Sequence, residues 1–433
     1  MKNLRLLNQL KPFENIVFEG NVKKIVGLTI EADNPMLGIG TRCFIESSEN
    51  KKIPAEIVGF KDGRIILMPF EDSNGIQPGS KIKNVSYGNV VKVSEKLLGR
   101  VLDGLGQPLD GLGKIKDAEL MPIYNDPPSP LERTIIKDIL PTGVKAIDSL
   151  VTIGKGQRMG IFSGSGVGKS VLLGMIARNA KADVNVIALI GERGREVREF
   201  IERDLGEALS KSVVVVATSE KSALIRKNGA FVAMSIAEFF RRRGADVFFM
   251  MDSVTRFAMA QREIGLAVGE PPTTKGYTPS VFSLMPKLLE RVGTKVNEGS
   301  ITGLFSILIE ADDINDPIGD AVRSIIDGHI MLSRDLAARN QYPAIDILNS
   351  TSRLMKEIVT VIHDNMAGRF RDLLATYKQN EDLINIGAYK KGSNRKIDEA
   401  INKFDTINNF LKQSISERFD FNDILEALKK VLS

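Results

Sequence analysis

Three textures of apolar and polar positions follow one another along the chain. From about residue 21 to 90, short β-branched runs (IVGLTIEA, TRCFIES, AEIVGF and RIILMPF) are separated by Asp-Asn-Pro, Lys-Asp-Gly and Gln-Pro-Gly turns. That spacing predicts a small β-barrel or sandwich. A Gly- and Pro-rich connector reads as ordered loops up to about residue 155. Beyond it, apolar runs (RMGIFSG, VNVIALIG, SVVVVATS, VFFMMD, ITGLFSILIE and HIMLS) alternate with helical patterns that begin near Gly168 and Arg195 and pass through residues 231–243 and 257–264. Continuous β-branched runs bounded by turns predict parallel strands covered by helices on both faces, an α/β domain. From about residue 355 the strands vanish and helical periodicity predicts an all-helical domain. At the other end, Leu4, Leu7 and Leu10 at three-residue spacing predict a short amphipathic helix. The expected units are therefore residues 1–20, 21–90, 91–354 and 355–433.

Composition narrows the chemistry. The 433 residues hold 59 Lys+Arg against 54 Asp+Glu, a net +5. With both signs interspersed, this is the charge of a solvated surface, and no nucleic acid is expected as a partner. One cysteine, Cys43, permits no internal disulfide, and together with His329 and His363 it is too little for a His/Cys zinc cluster. A lone thiol suits a reducing compartment. No run approaches the ~18 apolar residues of a spanning helix and no secretion signal opens the chain, so a cytoplasmic protein is expected.

The strongest local signal is Ser163-Gly164-Ser165-Gly166-Val167-Gly168-Lys169-Ser170, between the strand RMGIF and the helical VLLGMIARNA. Small residues let backbone N–H groups converge on phosphate oxygens at a helix N-terminus, Lys169 reaches the terminal phosphates, and the Ser170 hydroxyl serves Mg²⁺. Gly164 through Val171 form the expected cradle, in which Ser163 replaces the first glycine of the usual pattern. Asp252 ends the apolar run VFFMMD, where a carboxylate holds the metal's water shell beside such a loop. After VNVIALI comes Gly191-Glu192-Arg193-Gly194-Arg195-Glu196, at the strand end where open parallel sheets bind ligands. Glu192 is the candidate for orienting the attacking water, and Glu196 for reaching the metal through water. The bland readings are a packing turn, a turn-forming Asp and a self-neutralising charged loop.

Taken together, GVGKS, GERGRE, VFFMMDSVTRFA and YPAIDILNSTSR resemble the catalytic-subunit superfamily of rotary ATP synthases. Within it, PPTTKGYTPSVFSLMPKLLERVG is similar to the type III protein-export ATPases of flagella and virulence injectisomes. The resemblance implies a β-barrel, a RecA-like nucleotide domain and a helical C-terminal domain, assembled as a homohexameric ring that hydrolyses ATP with Mg²⁺ at sites shared between subunits. It gives Arg353 the place of an arginine finger acting on the adjacent subunit's phosphate, and Tyr342 a place against adenine. Arg193 and Arg256 match positions near the phosphates, with ion pairing to Glu192 and Asp252 as the alternative.

The resemblance also implies partners. The loop at residues 310–317 corresponds to a segment that faces a central stalk-like coiled coil, and residues 1–20 to the segment that binds a stator-like regulator. Membrane export-gate proteins and chaperone–substrate complexes complete the set, with the ring peripheral to the inner membrane. A flagellar role leads, ahead of an injectisome ATPase, a proton-driven synthase subunit and a non-catalytic nucleotide-binding ring subunit. A nucleic-acid translocase would want stacking aromatics, whereas Phe13, Phe18, Phe44, Phe60, Phe70 and Tyr87 sit singly in strand patterns.

Overall fold

The computed structural model describes residues 19–33, 37–85, 88–309 and 316–433. Six strands, β1 (Glu19–Val26), β2 (Thr29–Ala32), β3 (Arg42–Glu46), β4 (Lys52–Lys61), β5 (Arg64–Pro69) and β6 (Lys81–Asn84), close into a barrel in the order β1-β2-β5-β4-β3-β6. Alternation fills it: in β3, Cys43 and Ile45 point inward while Arg42, Phe44 and Glu46 are partly exposed. Burial pushes the Cys43 thiol up to about 12, so it acts as a small apolar filler. The predicted amphipathic helix lies, but for its last two residues, outside the described residues.

The connector differs from the loops expected of it. Strand β7 (Val90–Val93) pairs antiparallel with β9 (Glu119–Pro122), and between them β8 (Val101–Asp103) joins the edge of the large sheet, parallel to β12 (Ser212–Ala217). Strands of three or four residues have too few positions to show a period, and their partners alone define them. The turn between β8 and β9 is held by Arg100, whose Nε and Nη2 donate to Asp110 at 2.6 and 2.9 Å. That pairing holds the Asp110 carboxyl down at about 2.

The central sheet has nine strands in the order β17-β16-β10-β15-β13-β11-β12-β8, with β14 (Gly293–Thr294) on β15. Its members are β10 (Arg158–Ser163), β11 (Val184–Ile190), β12, β13 (Asp246–Asp252), β15 (Ser300–Leu308), β16 (Gly328–Leu332) and β17 (Ile345–Ser352). From β16 to β8 the neighbours along this order run parallel, and β17 returns antiparallel. Every residue of β11 and β12 is buried, as strands covered on both faces require. One face packs on the helices Ala223–Arg242 and Val254–Val268, both longer than their sequence patterns suggested. The other face is continuous with the core of three C-terminal helices, Val361–Asn385, Arg395–Leu411 and Phe421–Leu432, through Phe370, Phe410 and Leu428.

Two buried charge contacts bind the parts together. At the barrel seam, Glu56 of β4 accepts from Lys227 Nζ at 2.9 Å and Asn228 Nδ2 at 3.1 Å. Met68 and Phe70 pack beside it against Leu224, Ala260 and Ile264. Behind the sheet, fully buried Arg291 forms a fork to Glu238, both N···O distances being 2.7 Å, and also donates to Ser235 Oγ and the Ile123 carbonyl. The connector is thus hydrogen-bonded to the helix Ala223–Arg242. Breaking one partner of such a pair leaves the other charge buried and uncompensated, so Glu238→Ala should cost about 3–5 kcal/mol. The expected outcome is a lowered urea midpoint in a fluorescence or circular-dichroism titration; an unchanged midpoint would show that Arg291 finds another partner.

Candidate active site

The phosphate-binding loop leaves the sheet at the C-terminal end of β10, a central strand. Ser163 is still the last residue of that strand, in register with Leu308, and its carbonyl accepts from Ile309 N at 3.0 Å. An extended backbone needs no glycine, which explains why serine stands in the usual pattern's first position. The glycines that follow are constrained. Gly168 begins the helix Lys169–Asn179 in the left-handed region at φ 84°, and a Cβ on Gly164 would come within 2.5 Å of the Arg334 guanidinium. Ser170 is exposed at the helix start and Val171 is half-buried beside it.

Lys169, Asp252 and Glu192 converge. Lys169 Nζ makes a short hydrogen bond to Asp252 Oδ1 and lies 3.9 Å from Glu192 Oε1. Asp252 is the buried last residue of β13, and Ser306 of the intervening strand β15 donates its hydroxyl to the same Oδ1. Glu192 follows β11. Burial first, and the neighbouring Asp252 charge second, push its carboxyl up to about 7, against the opposing pull of Lys169. Its Oε1 is buried without a hydrogen-bond partner. A carboxylate held near neutral pKa with an open acceptor can take a proton from a water placed against it.

The remaining charges of the GERGRE segment do not join this group as expected. Arg193 is 82% exposed at its side chain and pairs with Glu196 at 3.5 Å. Glu196 is exposed, and its other influence is to raise Glu192 further. Arg256 lays its stem over Gly191, with Nη1 3.8 Å from Met259 Sδ and Nε buried without a partner. The ion pairs proposed for Arg193 with Glu192 and for Arg256 with Asp252 are not formed. Lys169 fills that role because the phosphate loop brings its ammonium between the two strand ends.

Beside the loop opens a cleft of about 800 Å³ lined by Val171, Leu172, Met175, Tyr342, Pro343 and residues 413–416. Tyr342 stands close to Gly168, where an added Cβ would lie 3.4 Å from its ring. The lining is mostly apolar with an aromatic face, a surface suited to a planar base. Part of this wall comes from the C-terminal helical domain, which sequence patterns gave no reason to bring here. Ser306 was equally invisible, since a lone serine in ITGLFSILIE reads as an ordinary member of a buried run.

Arg353 sits elsewhere. The antiparallel β17 carries the chain back across the sheet, with Ser352 opposite Gly328. Arg353 N donates to the Asp327 carbonyl, and the Asp327 carboxylate takes the fork of Arg158, the first residue of β10. The phosphate loop begins after the last residue of β10, so Arg353 lies about 16 Å from it along the strand direction, at roughly 3.3 Å per residue. Its guanidinium is exposed and touches only the Arg323 carbonyl, at 3.4 Å, among the described hydrogen bonds. Residues 310–315 of the expected stalk-facing loop lie outside the described residues; Asp316 caps the helix Pro317–Ile325 through Gly319 N at 2.7 Å.

Comparison with known proteins adds identity to this geometry. Residues 22–85 match the model of the ATP synthase alpha/beta family β-barrel domain, residues 143–352 that family's nucleotide-binding domain, and residues 359–430 the T3SS EscN ATPase C-terminal domain. The flagellum-specific ATP synthase of Bacillus subtilis is 51% identical, covering 99% of this chain and 98% of the relative. The type 3 secretion system ATPase of Xanthomonas euvesicatoria is 48% identical over 95% of this chain and 93% of its own length. The assembled ATPase EscN of the enteropathogenic E. coli type III secretion system superposes with a TM-score of 0.90 at 45% identity, over 96% of this chain and all of the other. The C-terminal match separates the chain from the proton-driven synthase subunits. The chain therefore belongs to the type III export branch of the ATP synthase alpha/beta family, and its activity is that of an ATP hydrolase.

Proposed function

We propose that the protein energises a flagellar-type export apparatus as a homohexameric ring in which each ATP is hydrolysed between two subunits. The observation that carries the shared site is the separation of Arg353 from the convergent Lys169, Asp252 and Glu192 of its own chain. In this reading Lys169 and the amides of Gly164, Ser165, Gly166, Val167 and Gly168 hold the phosphates, and Tyr342 stacks on adenine. Glu192 accepts a proton from the attacking water, and Arg353 arrives from the neighbouring subunit to stabilise charge on the transferred phosphoryl group.

Mg²⁺ fits the donor set. Ser170 and Asp252 are hard oxygen donors, too few to cage an ion alone, as suits a cation that keeps waters and substrate phosphates in its shell. When bound, the ion would neutralise charge on the phosphates. Glu196 remains a candidate for contacting its waters, and Arg193 and Arg256 remain secondary candidates near the phosphates.

Support for assembly comes from the solved relatives, described as assembled EscN and as EscN in complex with its central stalk EscO. By analogy, the 310–317 loop meets a coiled-coil stalk, and residues 1–20 meet a stator-like regulator at the cytoplasmic face of the inner membrane. Export-gate proteins and chaperone–substrate complexes follow as partners. The flagellar assignment is favoured by relatives in Bacillus subtilis and Salmonella typhimurium that are both named flagellum-specific. A strain lacking the gene should lose flagellar filaments, recovering them with the wild-type gene and not with Glu192→Gln. Intact filaments in that strain would favour the injectisome reading, which the Xanthomonas relative also suits.

These roles have enzymatic consequences. Glu192→Gln should lower kcat by at least about a hundredfold and Arg353→Ala by about a thousandfold. Rings mixed from the two variants should regain part of the activity, because one subunit's Glu192 then meets the other's Arg353; no recovery on mixing would argue against a shared site. Since Glu192 works deprotonated and is raised to about 7, kcat/KM should fall as pH drops through neutrality and level off above it. Tyr342→Ala should raise KM for ATP by about tenfold and Tyr342→Phe should leave it nearly unchanged, because stacking needs the ring and not the hydroxyl.

A further inference from the structure

Gln413 lies between the helices Arg395–Leu411 and Phe421–Leu432, at the start of the cleft wall formed by residues 413–416. It is buried, and its hydrogen bonds reach two segments that are remote in sequence and one residue of its own turn. Its backbone N donates to the Tyr342 carbonyl at 3.0 Å. Its side-chain Oε1 accepts from Lys145 N at 2.9 Å, and Nε2 donates to the Gly143 carbonyl at 2.9 Å and to the Glu417 carbonyl at 3.2 Å. The adjoining turn is closed by Ser414 N donating to Glu417 Oε2 at 2.7 Å. From the phosphate-loop helix, Arg178 Nη2 reaches the Ile415 carbonyl at 3.1 Å.

The cleft beside the phosphate loop is bounded by Tyr342 and Pro343 and by residues 413–416. These two parts belong to different domains, and Gln413 is the residue that ties one to the other. We infer that Gln413 is a positioning residue of the nucleotide site: it fixes the gap between Tyr342 and the 414–416 wall and so sets affinity for the base, without touching the phosphates. The inference rests on the reading of that cleft as the base site.

The physical argument is one of distance. A stacked base is held by dispersion and apolar contact, and widening the gap by about 0.5–1 Å forfeits roughly a quarter to a half of that attraction. Removing the Gln413 amide leaves Lys145 N and the Gly143 carbonyl without that partner in a buried setting, which drives the segment to shift until they are solvated. The phosphates are gripped at the other end of the site by a loop whose shape is set by β10 and its own helix. Base affinity and phosphate affinity are therefore separable.

The test uses the assembled ATPase, at protein concentrations where wild-type specific activity has levelled off, and inorganic triphosphate as a ligand that lacks a base. Gln413→Leu should raise KM for ATP by about tenfold, the scale of one or two lost net hydrogen bonds. Its kcat should stay within about twofold and the inhibition constant of inorganic triphosphate should not change, because phosphate contacts are untouched. Glu417→Ala loosens the same turn from an exposed position and should raise KM in the same direction by a smaller factor; if Gln413→Leu does not assemble, this variant decides alone. An unchanged KM in both variants, or triphosphate inhibition that weakens in parallel with KM, would overturn the inference. Tyr342→Ala in the same assay separates the two ideas: an unchanged KM there removes the base site itself, whereas a raised KM with no effect at Gln413 and Glu417 removes only the role of Gln413.

Discussion

Burying a parallel sheet on both faces dictates where this protein can do chemistry. Strands β11 and β12 are buried at every residue and β13 at all but its first, so within the layer an unpaired charge would face a large desolvation cost. Charge is confined to strand ends, and parallel strands place those ends along one edge. Glu192 after β11, Asp252 at the end of β13 and the loop after β10 therefore meet without any of them being near in sequence. Strand β15 separates β10 from β13, and it is the strand that supplies Ser306 to Asp252. The same low dielectric that forces charge to the edge raises the Glu192 carboxyl there.

Edge placement also explains why Arg353 lies apart from the phosphate loop. β17 reverses direction beside β16, so whatever follows it is delivered to the edge opposite the phosphate loop. One fold thus presents the phosphate loop and Arg353 on surfaces that face different ways, as the proposed shared site requires. A contact of that kind is heterologous, and repeated with a closing rotation it generates a ring.

The sequence made some of this legible and physics hid the rest. RMGIF, VNVIALI and VFFMM are continuous apolar runs with a glycine turn or an acid behind them, so both the strands and the chemistry at their ends could be read. The barrel strands were equally plain because turn residues punctuate them. What failed was anything defined by a distant partner: β7 and β8 exist only through pairing, and the ion pairs offered as the alternative for Arg193 and Arg256 do not form because the loop puts Lys169 between Glu192 and Asp252. Ser306, Arg334 and Gln413 carry no local pattern at all. Their importance comes from the three-dimensional neighbours Asp252, Gly164 and Tyr342.

Cys43 is the chain's one cysteine, enclosed in the barrel with its thiol raised to about 12. At neutral pH almost none of it is thiolate, and no reagent reaches it without opening the barrel. The native sequence is consequently already blank to maleimide and disulfide chemistry. A cysteine introduced at any exposed position would be the single reactive handle per subunit, ready for spin labels, fluorophores or cross-links that report on movement between neighbouring copies.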